Sequence, residues 1–93
     1  IIGETDGDRC GFSVSLSDNG NNVSISSRLS GNTDNGSVRI FKNNINNWSQ
    51  IGKTIEGTSH ENNGYSVSLS NNGNTLAIGA IYSPGTTYVY EYY

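Results

Sequence analysis

The chain has 93 residues, a net charge of −3 and a thin apolar content, with Ile, Val, Leu and Phe together numbering 20. A length of this order makes one small domain, which alone buries only about 60–65% of its unfolded surface. The basic residues Arg9, Arg28, Arg39, Lys42 and Lys53 are scattered, which excludes the electrostatic footprint of a nucleic-acid binder. No apolar run approaches the roughly 20 residues of a helical membrane span.

Taken in chain order, Ile1-Ile2-Gly3 reads as the end of a strand, and residues 1–10 as that strand plus an inter-repeat loop. Phe12, Val14 and Leu16 alternate with Ser13, Ser15 and Ser17, the period-two pattern of a strand with distinct faces. Asp18-Asn19-Gly20-Asn21 is a hairpin turn, because Asn and Gly both tolerate positive φ. Val23 and Ile25 against Ser24 and Ser26 predict the return strand, residues 38–41 a third and residues 48–55 a fourth. From Gly64 the pattern restarts, with a turn at Asn71-Asn72-Gly73-Asn74, a strand over 75–80 and a last strand over 88–93. Asn, Ser, Gly and β-branched residues dominate, so no helix is expected.

The restart is a repeat. Residues 11–26 and 64–79 are identical at ten of 16 positions, at an offset of 53, which is the size of one propeller blade. The predicted fold is all-β: two four-stranded antiparallel blade-like repeats over 11–57 and 58–93, the second lacking its fourth strand, not closed on their own. The face opposite the apolar one is almost entirely Ser, Gly and Ala, which suits close approach of a second sheet. A small core that nevertheless folds predicts neighbours, either further repeats or a homo-oligomer. The start at Ile1 rather than Met, with no signal-peptide pattern, predicts a processed or excised segment.

Several phrases carry a resemblance: Gly7-Asp8 ahead of GFSVSLSDNG, then TDNGSVRIF, NWSQIGKTIEG and GYSVSLSNNGNTLAIGA. Together they resemble the FG-GAP-like, integrin-type β-propeller repeats of large secreted or surface proteins of bacteria and protists. The resemblance spans nearly the whole chain. It implies an extracellular or cell-surface location and an adhesive or structural role, and it names no reaction. The second copy departs from the pattern, with His60-Glu61 in place of Gly7-Asp8, and the alternating Asp/Asn run of integrin calcium loops is not intact.

The candidate chemistry is sparse. Asp6 and Asp8 supply two carboxylates to a hard cation such as calcium, which takes about six to eight oxygens. Asp18 with Asn19 and Asn21, and Asp34 with Asn32, are further oxygen-bearing loops, but Asp and Asn are equally favoured there as turn formers. His60 is the sole histidine, in a polar loop without a nucleophile elbow, and Cys10 is the sole cysteine, with Asn63 as its counterpart. Asn22, Asn35 and Asn47 open Asn-x-Ser sequons, at the frequency expected by chance in a chain this rich in Asn and Ser. Tyr88, Tyr90 and Tyr92 share one face of the last strand and, with Ile1 and Ile2, form the expected assembly interface, since an exposed aromatic strand must be covered.

Two blades do not close a propeller, which takes roughly four to eight. The expected function is therefore a non-catalytic extracellular structural or adhesive module, not an enzyme, that self-assembles into a ring or head-to-tail filament by strand complementation. The alternative is a calcium- or glycan-binding propeller segment of a larger surface protein.

Overall fold

The alternating segments fold as strands. The computed structural model describes residues 1–3, 7, 9–27, 35–45, 47–57, 63–80 and 85–91. Seven strands run through them: β1 (Cys10–Leu16), β2 (Asn22–Ser27), β3 (Ser37–Asn44), β4 (Asn47–Glu56), β5 (Asn63–Leu69), β6 (Thr75–Ala80) and β7 (Thr86–Glu91). They form two antiparallel meanders, β1-β2-β3-β4 and β5-β6-β7. The fold is all-β, with two open, blade-like sheets. Among the described residues there is no helix, and so none long and apolar enough to cross a membrane.

The two Asn-Gly turns, β1 to β2 and β5 to β6, are built alike, and not as two-residue turns. Only the glycines take positive φ, Gly20 at 76° and Gly73 at 77°. Asn19 stays in the ordinary region and uses its side chain, whose Oδ1 accepts from the Asn21 N–H (2.9 Å) and the Ser17 hydroxyl (3.0 Å). Ser17 Oγ in turn accepts from the Asn22 N–H at 3.0 Å. Asn72, Asn74, Ser70 and Thr75 repeat this network within 0.1 Å. The loop is thus four residues long, closed by side-chain oxygens and one left-handed glycine.

Each sheet has a bulge where its first strand begins. The register of β1 on β2 shifts between Cys10 and Val14. The Ser26 hydroxyl fills the gap, accepting from the Ser13 N–H (3.0 Å) and donating to the Ser13 carbonyl (3.3 Å). β5 shifts on β6 between Asn63 and Ser66, and there the counterpart of Ser26 is Gly79.

Directly opposed residues share a face. In the second sheet Val67, Ile78 and Tyr88 are opposed, as are Leu69, Leu76 and Tyr90. In the first, Ser24 opposes Ile40 and Ser26 opposes Val38. The core lies between these two faces: Val38 and Ile40 of the first sheet against Leu69, Leu76 and Ile78 of the second, flanked by Ile51, Ile55, Val67, Tyr88 and Tyr90. Each fully buried aliphatic side chain contributes about 1.5–3 kcal/mol. The main buried cluster thus lies between the sheets, while Ile25 and Phe41 are buried beside Arg39 on the opposite face of the first sheet.

Candidate functional site

The sheet-to-sheet junction is the most elaborated feature of the molecule. β5 is an edge strand, so alternate backbone N–H groups point away from β6 with no ladder partner. Two of these, at Val67 and Leu69, are taken up by serine hydroxyls of β1. The Val67 N–H donates to Ser13 Oγ at 3.2 Å and the Leu69 N–H to Ser15 Oγ at 3.0 Å. The geometry follows from the sequence. Serines two apart project from one face of β1 at the spacing of outward N–H groups two apart on β5. Serine holds its oxygen one bond beyond Cβ, so the strand edge must come close to the face of β1 for these bonds to form.

Further along the junction two backbone bonds and one side-chain amide bond join the sheets. Asp18 N–H donates to the Asn71 carbonyl at 2.8 Å, and Asn63 N–H to the Asn35 carbonyl at 2.9 Å. The Asn22 amide reaches the Gly73 carbonyl at 3.5 Å. Two glycines make the approach possible. A Cβ on Gly64 would stand 2.7 Å from Ser26 Cβ, and a Cβ on Gly36 would run into the backbone of Asn63.

Two buried side-chain oxygens in the junction, Ser24 Oγ and Asn63 Oδ1, have no hydrogen-bond partner among the described residues. Ser24 is fully buried. Its counterpart in the second copy is Ala77. An unpartnered buried hydroxyl costs stability, so Ser24→Ala should raise it by about 1 kcal/mol. Thermal unfolding reads this as a melting temperature about 4–8 °C higher, and a lower one would show that the hydroxyl is bonded.

The residues singled out in the sequence fall in several places. Asp6, Asp8, Tyr92 and His60 lie outside the described residues, and so does the Asp34–Asn32 loop. Among the described residues no three His, Cys, Asp or Glu side chains converge as cation ligands. Tyr88 and Tyr90 stack on each other with ring centroids 6.4 Å apart, and their side chains pack on the inter-sheet core within one chain. Ile1 and Ile2 are exposed and lie outside the strands. The Ile2 carbonyl accepts from the buried Arg39 guanidinium at 2.9 Å, and that group also lies 3.4 Å from the Cys10 sulfur and over the Phe41 ring. Among the sequon residues Asn22 is part of the junction, Asn35 is half-buried beside it, and Asn47 is exposed at the start of β4.

The hydrogen-bonding role of Ser13 and Ser15 was not anticipated from the sequence, where the serine face suggested only small size. The recurrence of Ser-x-Ser at both copies was the available signal. Comparison with protein-family models, curated proteins and solved structures finds no match to this chain.

Proposed function

We propose that this chain is a non-catalytic structural or adhesive module of the FG-GAP-like kind, working at the cell surface or outside the cell, and that its role is to build larger assemblies by stacking sheets. The observation that carries this reading is the junction itself. The polar machinery described here, from Ser13 and Ser15 to Asn22, Gly36 and Gly64, serves the joining of one sheet to the next. A repeat whose core lies between sheets is stabilised by each added neighbour, which supports a ring or filament. The extracellular placement rests on the family resemblance.

Native particle mass and shape, from light scattering with negative-stain electron microscopy, test the reading. The expected result is rings or filaments whose mass grows with concentration above the 10.0 kDa of one chain. A folded monomer at every concentration would refute it.

A further inference from the structure

The internal junction has unsatisfied copies of its own parts at both ends of the molecule. At the offset of 53, the acceptors Ser13 and Ser15 correspond to Ser66 and Ser68, and the donors Val67 and Leu69 correspond to Val14 and Leu16. Ser66 and Ser68 are exposed on the outer face of the second sheet. In β1 the Ser17 N–H pairs with the Asn22 carbonyl, just as Ser70 pairs with Thr75 beside β5. By the antiparallel alternation, the Val14 and Leu16 N–H groups therefore point off the free edge of β1. Val14 and Leu16 are 59% and 61% exposed, whereas Leu69, one repeat later and covered by the first sheet, is 8% exposed.

The glycines mark the same vacancy. Gly11 and Gly64 have φ of 89° each, so the two copies share one backbone shape. A Cβ on Gly64 or Gly73 would strike the first sheet, while one on Gly11 or Gly20 meets nothing within 4 Å. The surface that receives a sheet in the second copy recurs in the first copy at Gly11, Val14, Leu16 and Ile25 and is exposed along β1. Arg39 and Phe41 stand where Tyr88 and Tyr90 stand, and Arg39 is bonded to the Ile2 carbonyl. At the other end Val89 opposes Ala77 as Ile40 opposes Ser24. Val89 is 64% exposed and Ile40 is 2% exposed.

We propose that the outer face of the second sheet, through Ser66, Ser68 and Val89, docks on the outer face of the first sheet of a second copy of this chain, through Val14 and Leu16. The contact repeats the internal junction. The partner's edge N–H groups donate to Ser66 Oγ and Ser68 Oγ, and Asn71 N–H takes the place of Asp18 N–H. This rests on the assembly reading above and gives it a direction. The interface is heterologous, head to tail, and repeats one rotation at every step, so it closes into a ring or runs on as a helix. Thr75 stands where Asn22 stands, so the amide bond to the turn glycine is missing between chains. The inter-chain junction is weaker than the internal one and forms with concentration.

Two variants with opposite faces blocked test the direction. Leu16→Lys spoils the receiving face, and Ser68→Lys with Val89→Lys spoils the docking face; all three positions are exposed in the single chain, so the fold is kept, as far-UV circular dichroism checks. Each variant alone should remain at 10.0 kDa, and an equimolar mixture should form a two-chain species of twice that mass and nothing larger. The milder Ser66→Ala/Ser68→Ala variant should raise the concentration needed for assembly about tenfold, the loss of about 1.4 kcal/mol. If the unmodified chain assembles but either Lys variant alone assembles equally well, the faces are wrong and the proposal is overturned while the assembly reading stands. If the mixture stays monomeric while the unmodified chain assembles, the two faces are not complementary, with the same consequence. A monomeric unmodified chain overturns both.

Discussion

Gly36→Ala is expected to cost the protein about 2–5 kcal/mol of stability. Gly36 sits ahead of β3 at φ 78°, in the left-handed region that costs a residue with a Cβ about 1–2 kcal/mol. The Cβ would also overlap the main chain of Asn63. A backbone neighbour has no rotamer to escape into, and overpacking of this kind costs about 1–3 kcal/mol. The same spot anchors the Gly57 N–H on the Gly36 carbonyl at 3.0 Å and the Asn63 N–H on the Asn35 carbonyl at 2.9 Å, so a shift that relieves the clash breaks the seam. The combined loss of about 2–5 kcal/mol is a large share of the roughly 5 kcal/mol at the low end of small-domain stability. Gly20→Ala is the control, because φ is 76° but no atom lies within 4 Å of the added carbon. In dilute solution it should cost only the conformational part, about 1–2 kcal/mol. Urea unfolding followed by Trp48 fluorescence separates the two, and equal losses would show that conformation alone, not the approach of the sheets, demands glycine at 36.

The second large effect is expected at Leu76. It lies on the central strand of the second sheet, opposite Leu69 and Tyr90, with 0% exposure. Leu76→Ala removes the middle of the inter-sheet core and should cost about 3 kcal/mol, within the usual range for a buried leucine that leaves a cavity. Because Val38 and Ile40 share one buried cluster with Leu69, Leu76 and Ile78 of the opposing sheet, the loss should appear in both sheets at once. Urea melts read by Trp48, on β4, and by far-UV circular dichroism should therefore shift together. A melt in which Trp48 keeps its original midpoint would mean that the first sheet stands alone and that the core is not shared.

Much of the architecture was legible in the chain. The seven strands, the break into two sheets and both Asn-Gly turns follow from local patterns. Ile1-Ile2-Gly3, read as the end of a strand, instead lies outside the strands and meets Arg39 through the Ile2 carbonyl. Period-two alternation selects the extended conformation, and a repeat at an offset of 53 can only be two copies of one unit. The turn chemistry was only half legible. Asn-Gly marked the hairpins correctly, but whether Asn19 turns its backbone or offers its side chain depends on loop length. Tyr88 and Tyr90 were read as a stripe needing cover, and both pack against the buried cluster of the same chain.

The pairing of Ser13 with Val67 and of Ser15 with Leu69 was beyond local reading. A serine on a strand face can equally meet water, its own ladder or another sheet. Ser26 and Ser15 look alike in sequence, yet Ser26 fills a bulge in its own sheet while Ser15 caps an edge amide 54 residues away. Which of these occurs depends on the distance and rotation between the sheets, quantities that arise from packing Val38, Ile40, Leu76 and Ile78 together and from the close approaches at Gly36 and Gly64. Alternation and turn signals act between residues a few positions apart, so they are written in the chain. The joining of edge to face acts between segments that meet only after both sheets have formed, so it belongs to the tertiary structure.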